Sequence, residues 1–356
     1  MHLKKSKKNE KLKLCKRFCK RIGIGIGIFI LSLIISLVIL EIILRVSYPL
    51  YADYNTEMWR YATYLKHMSP YPELGHEHLS NKAMFLYGTE IRTNSLGLRA
   101  DKEYLVPKAN GTKRIFILGD SITLGWGVNY SSTYPKLLET LLNENSSVKY
   151  EVINLGVGNY NAVNSLASLK KNIYLQPDII IYGFYINDIE ENRYPSKIAY
   201  FIKSKSYLYN FISDKIINIK YRKINYTEYY SDLYADYENV KKLNESVNGM
   251  IEVAENNSIP FVFLNIPEFH QIHDYKFSKI NDLIKKEILN EKNITYMDLS
   301  IVFQDINVSS GTLWVSSEDP HPNYIAHRII ADNLYKELKK YHKNENISIY
   351  FNFLRQ

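Results

Sequence analysis

Cysteine is almost missing from this chain. Only Cys15 and Cys19 occur, and none follows them. Everything beyond residue 19 therefore lacks a disulfide framework and a thiolate metal site. A basic surface is missing from the main body as well. The net charge is +8, yet residues 1–21 hold ten Lys or Arg against the single acid Glu10. The remainder carries 35 bases and 36 acids, which argues against a nucleic-acid partner. There is no internal repeat, no low-complexity linker, and no Gly-x-Ser-x-Gly elbow of the kind many hydrolases use. Two short-spaced histidine pairs, His76 with His78 and His270 with His273, have no matching cluster of acids. They are expected to be surface or stalk histidines, and no metal or cofactor is expected.

What is present begins with a run from Ile22 to Leu40 that has no charge and no proline. At ~1.5 Å per residue such a helix spans ~29 Å, about the hydrocarbon thickness of a bilayer. A signal peptide and a buried core helix are the alternatives. A core helix would carry polar punctuation, and a cleavable signal would end in a small-x-small site. Glu41-Ile42-Ile43-Leu44-Arg45-Val46 offers none. The expectation is a basic cytoplasmic tail over 1–21 and a transmembrane helix over 22–46. The excess of cations before the span puts the N-terminus in the cytoplasm and the rest outside. The bilayer is thus an expected partner.

Residues 47–110, with Pro49, Pro70 and Pro72 and the aromatics Trp59 and Tyr61, are expected to form a stalk and an N-terminal lobe. From Lys113 the pattern becomes regular. Short apolar runs at 114–118, 151–155 and 178–183 alternate with helix-spaced segments at 134–143 and 162–175. Residues 190–236, rich in Tyr, Lys and Ile, break the order and are expected to be a partly helical insertion. It would form a lid or wall near a site, or a plain surface excursion. Alternation resumes with helix 238–256, strand 260–265, helix 276–290, strand 294–299 and helix 323–341. Residues 344–356 are expected to be a C-terminal tail. Continuous apolar strands separated by helices imply an α/β domain over 111–343, with a parallel sheet covered on both faces.

In such a sheet, ligands sit beyond the carboxyl ends of the strands. Polar clusters fall there: Gly119-Asp120-Ser121, Asn154 to Asn161, and Asn187-Asp188. A fourth, Glu318-Asp319-Pro320-His321, precedes the last helix. A serine hydroxyl needs a base to become a nucleophile. Ser121 with His321 fits that pair, and either Asp319 or Glu318 is placed to fix the imidazole. The backbone N–H groups of Ser121 and of the Gly156–Asn159 turn, with the Asn187 side chain, are candidate oxyanion donors. Each has a plainer alternative: Ser121 as a helix cap, His321 as a loop residue, Asn187-Asp188 as an ordinary turn.

Taken in order, four blocks resemble the SGNH, or GDSL-type, hydrolase family. They are Gly-Asp-Ser-Ile-Thr-Leu-Gly (119–125), Asn-Leu-Gly-Val-Gly-Asn-Tyr-Asn (154–161), Tyr-Ile-Asn-Asp (185–188) and Glu-Asp-Pro-His-Pro-Asn (318–323). Thr93 to Arg99 is similar to the lead-in of membrane-anchored members. The resemblance implies a flavodoxin-like three-layer α/β/α sandwich. It implies Ser121 as nucleophile and oxyanion donor, Asn187 as side-chain donor, and His321 as base. The family's oxyanion glycine falls at Asn159, with Gly156 and Gly158 shaping the turn. The family's usual acid position, three before the histidine, holds Glu318. Some relatives use the two-residue spacing, which favours Asp319.

The implied activity is hydrolysis of an O-acyl ester, with an acetyl group on an extracellular carbohydrate or envelope polymer as the expected substrate. An acyltransferase using the same triad and a catalytically inactive envelope binding or assembly protein are the alternatives.

Overall fold

A computed structural model describes residues 2–51, 53–192, 204–221, 225–290 and 292–343. The chain divides into two units, residues 1–56 with 195–219, and residues 57–194 with 220–356.

In the first unit a single helix runs from His2 to Tyr51. The expected tail and span are thus one continuous element. Its Lys16–Tyr48 portion contains an 18-residue stretch of mean hydropathy 2.9, none of that stretch buried, so it is long and apolar enough to cross a membrane. Helix Tyr207–Tyr221 belongs to the same unit. Glu41 accepts from Ser206 Oγ and from the backbone N–H groups of Tyr207 and Leu208, which leads that helix off an acidic cap.

The second unit holds the sheet. Four short strands come first: β1 (Lys66–Met68) pairs with β2 (His76–His78), and β3 (Ala83–Leu86) with β4 (Thr89–Arg92), both antiparallel. The main sheet follows, with β5 (Thr112–Leu118), β6 (Lys149–Asn154), β7 (Ile179–Phe184), β8 (Phe261–Asn265) and β9 (Thr295–Asp298). Its order is β6-β5-β7-β8-β9 and every pairing is parallel. Ile115 to Leu118, Ile180 to Tyr182, and Phe261 to Leu264 are all at most 5% exposed. Strands buried on both faces need no polar alternation, which is why they read as unbroken apolar runs.

Crossover handedness then sorts the helices. The step from β5 to β6 goes one way along the sheet, and the later steps go the other. Right-handed crossovers therefore put helix Tyr134–Glu144 on one face and helices Ala162–Asn172 and Tyr237–Asn256 on the opposite face. The packing agrees: helix Tyr134–Glu144 pairs with the last helix, Tyr324–Lys343, and helix Ala162–Asn172 pairs with Tyr237–Asn256. The result is the expected three-layer, flavodoxin-like sandwich. The direction reverses between β5 and β7, and a crevice opens there at the strands' carboxyl ends.

Two local expectations need correction. Helix 276–290 is broken: Ser278–Leu283 is α-helical, then Ile284–Ile288 widens into a π-turn. The described part of the expected insertion is largely helical and falls in both units. Residues 193–203 and 222–224 lie outside the described residues, as does the tail at 344–356. Of the rest, one helix belongs to the first unit, while helix Tyr226–Ala235 packs beside the end of β7 through Tyr234 Oη–H to Ile186 O (2.9 Å). Finally, His76 and His78 are not surface histidines. β2 turns both inward, to 7% and 5% exposure. His270 is half exposed, with its ring on the buried carboxylate of Glu268.

Candidate active site

Strand β5 ends at Leu118, and Gly119-Asp120 turns the chain into a one-turn helix, Ser121–Leu124. The cap of that helix is Asp120, not Ser121. Asp120 Oδ1 accepts from Ile122 N at 2.8 Å. The Ser121 hydroxyl is thereby released from capping and reaches His321 Nε2 at 2.8 Å.

His321 sits on β11 (Asp319–Pro322), which pairs with β10 (Trp314–Ser316) in an antiparallel hairpin. Residues two apart on a strand share a face. Asp319 accordingly lies beside His321, and its Oδ1 accepts from His321 Nδ1 (2.6 Å) and from His321 N (3.0 Å). That bond puts the ring proton on Nδ1 and leaves Nε2 to accept from the serine. Glu318 is exposed and makes no such contact, whereas Asp319 is 1% exposed. Burial alone would lower the pKa of His321, but the hydrogen bond and charge of Asp319, with the charge of Asp120, outweigh it and hold it above the ordinary value. Burial alone would raise Asp319. The His321 bond and charge and the Trp126 bond outweigh it, and its carboxyl sits below the ordinary value.

Trp126 was not singled out by the sequence. Its Nε1–H donates to Asp319 Oδ2 at 3.0 Å and completes the acid's partners. The ring stacks on Tyr87 with centroids 5.8 Å apart and meets Tyr61 edge-on at 5.7 Å. The signal was present in Gly125-Trp126-Gly127, an indole between two glycines directly after the first block. Trp126→Phe keeps the stack and removes the donor. A bond to a charged group contributes ~1.5–3 kcal/mol, so kcat is expected to fall about 10- to 100-fold with KM unchanged in steady-state kinetics.

The remaining oxyanion candidates follow the carboxyl ends of the two neighbouring strands, β7 and β6. After β7, the turn Ile186–Ile189 carries Asn187, whose Nδ2 donates to Asp120 Oδ2 at 3.1 Å. An amide nitrogen has two hydrogens, so one remains for a ligand. Asp188 fixes this turn by accepting from Tyr182 Oη (2.8 Å) and Tyr185 N (3.0 Å). After β6, Asn154 Nδ2 donates to Thr123 O (2.7 Å), and Val157 N to Gly119 O (3.2 Å), which lays the second block against the first. Gly156 is needed for that approach: a Cβ there would lie 2.4 Å from Leu124 N. Asn159 has φ +71°, a left-handed conformation that Asn tolerates. Among the described residues, neither Ser121 N–H nor Asn159 N–H donates to a protein acceptor. Also among the described residues, no group of three or more His, Cys, Asp or Glu is arranged to hold a metal ion.

A serine bonded to an imidazole that is itself held by a buried carboxylate is a serine-hydrolase type of arrangement on a flavodoxin-like sheet. The model of the GDSL-like lipase/acylhydrolase family matches residues 115–334, and the chain belongs to that family. It is a serine ester hydrolase. Among solved structures it is similar to a putative lipolytic protein of the G-D-S-L family from Desulfitobacterium hafniense DCB-2, at 16% identity over 63% of this chain and 98% of that one, with a TM-score of 0.41. A lipase/acylhydrolase from Enterococcus faecalis matches at 16% identity over 64% and 96%, TM-score 0.41. The psychrotrophic esterase EstA from Pseudoalteromonas sp. matches at 15% over 65% and 99%, TM-score 0.41. No curated protein matches.

Proposed function

We propose that this protein is a membrane-anchored esterase that removes O-acetyl groups from a carbohydrate or envelope polymer outside the membrane, with Ser121, His321 and Asp319 as its triad. The observation that carries the mechanism is the Ser121 Oγ to His321 Nε2 contact of 2.8 Å, on an imidazole already held by Asp319.

The chemistry follows from the geometry. Ser121 Oγ attacks the acyl carbon while Nε2 takes its proton. Asp319 stabilises the imidazolium without taking the proton itself. The negative charge on the carbonyl oxygen is met by the N–H groups of Ser121 and Asn159 and by Asn187 Nδ2. The imidazolium then gives its proton to the departing sugar oxygen. Water, deprotonated by Nε2, attacks the acyl-serine, and acetate leaves with the serine restored.

Two observations support the substrate and location. Tyr226, His270 and Trp314 make a chain of ring contacts at 4.9 and 5.6 Å, and Trp314 begins the strand paired with the one holding His321. Flat aromatic faces beside the site suit the C–H faces of a sugar ring. The cations gathered before the apolar helix favour a cytoplasmic N-terminus and an external hydrolase unit.

The test uses full-length protein in detergent with an O-acetylated polysaccharide. Free acetate should appear in step with exposed hydroxyls, and Ser121→Ala should release none. Acetyl groups moved to an added oligosaccharide instead of to water would establish the acyltransferase. No turnover and no reaction with a fluorophosphonate would establish an inactive binding protein.

A further inference from the structure

The peptide bond that offers the Asn159 N–H is gripped by two side chains from the N-terminal lobe, a third holds the peptide before it, and this arrangement goes beyond the triad. Lys66 Nζ donates to Gly158 O at 2.9 Å, and His76 Nε2 donates to the same oxygen at 3.1 Å. Gly158 N–H donates to Tyr61 Oη at 2.9 Å. Gly158 O and Asn159 N–H belong to one planar amide, so fixing the oxygen fixes the direction of the N–H. We propose that Lys66 and His76 are positioning residues of the oxyanion hole, which hold and polarise the Gly158–Asn159 peptide from behind. This inference rests on the proposed triad and extends it to a segment that resembles only a stalk in sequence.

The proton assignment is closed. Tyr61 Oη accepts from Gly158 N–H and donates to His78 Nε2 at 2.6 Å, and His78 Nδ1–H donates to Gly97 O at 3.1 Å. Burial lowers His76 and His78 to about 3, so both imidazoles are neutral, and His76 must carry its proton on Nε2 to reach Gly158 O. The packing leaves no slack. A Cβ at Gly158 would lie 2.7 Å from Tyr61 Cε1, so only glycine lets the phenol come this close.

Lys66 is the unusual member. It is 7% exposed, and among the described residues no carboxylate pairs with it. Its ammonium lies 4.6 Å from the Tyr61 ring centroid, and burial lowers it to about 7. A buried amine without an acid partner costs stability, and a fold that needed only packing would place a leucine or methionine there. The donors on Gly158 O draw electron density from the amide and make its N–H a better donor, the cooperative effect of bonded peptides. The gain appears when charge develops on the substrate oxygen, so it should act on kcat and leave KM alone.

The experiment measures kcat and KM on p-nitrophenyl acetate with full-length protein in detergent. Removing a whole oxyanion donor costs about 10²–10³-fold, so loosening one should lower kcat about 10- to 100-fold in Lys66→Met, with KM within about twofold. His76→Leu should lose about tenfold, and His76→Gln, which keeps an N–H donor at the same reach, should recover to within about threefold of wild type. Fluorophosphonate labelling rates should fall in the same ratios, because the phosphonyl adduct places an oxygen in the same hole. Should Lys66→Met fail to fold, the two His76 variants decide. Unchanged kcat in Lys66→Met and in His76→Leu, with wild type active and Ser121→Ala inactive, overturns this inference alone. Equal losses in His76→Leu and His76→Gln overturn it too, since the donor would then not matter. A wild-type protein without esterase activity overturns the proposed function and this inference with it.

Discussion

Ser121→Ala is expected to lower kcat on p-nitrophenyl acetate by about 10⁴-fold or more, which is the scale on which loss of a triad nucleophile acts. The reason is local. The hydroxyl bonds His321 Nε2, and without it no acyl-enzyme forms. The residual rate would come from the donors of Ser121, Asn159 and Asn187 acting on water. KM should change little, since those donors remain. The fold should also survive. Asp120 caps the helix Ser121–Leu124, so the change removes one oxygen and no cap. The loss in stability should stay near ~1 kcal/mol, the net worth of a single hydrogen bond. Equal Tm values beside a large loss in kcat would separate a chemical role from a structural one.

The second large effect concerns the acid. Asp319→Asn is expected to cost about 10³–10⁴-fold in kcat, because an amide no longer holds the imidazole in the tautomer that leaves Nε2 free. Glu318→Gln should change kcat less than about twofold, as a substitution on an exposed side chain with no contact to the ring. The pH profile supplies an independent readout. His321 acts as a base, so it works deprotonated, and activity should fall as pH falls through its pKa. In the wild type, Asp319 and Asp120 hold that pKa above the ordinary value of an imidazole. The acid limb of kcat/KM should therefore lie above that value. In Asp319→Asn the bond and charge that raise it are gone while burial remains, so the limb should move to lower pH. A limb that stays in place would assign the raising influence elsewhere.

The sequence made the sheet legible because physics leaves strands such as 115–118 and 179–184 few other forms. An unbroken apolar run of that length between helices is buried on both sides. Their order was not spelled out, but crossover handedness and the reversal between β5 and β7 place Ser121 and Asn187 on one crevice. The site was less legible where strands are short. β11 has four residues, two of them proline, and shows no alternation. Once it is seen as a strand, Asp319 and His321 fall on one face and Glu318 does not, so the choice of acid follows from the pleat. β1 and β2 have three residues each, too few for a period, and the burial of His76 and His78 was hidden with them. Trp126 and Lys66 contact the site through tertiary packing, at sequence separations of 193 residues to Asp319 and 92 to Gly158. No local pattern encodes the Lys66 contact, and for Trp126 the local hint is only its place between Gly125 and Gly127. The 276–290 segment failed for the opposite reason: its apolar spacing suits a helix, yet the chain widens into a π-turn at Ile284–Ile288.

The central claim is that Ser121 is the nucleophile. The direct measurement treats full-length protein in detergent with a fluorophosphonate and maps the modified peptide by mass spectrometry. One adduct per chain is expected, on Ser121, forming faster as His321 deprotonates and absent from Ser121→Ala. An adduct on another residue, or undiminished labelling of Ser121→Ala, would contradict it.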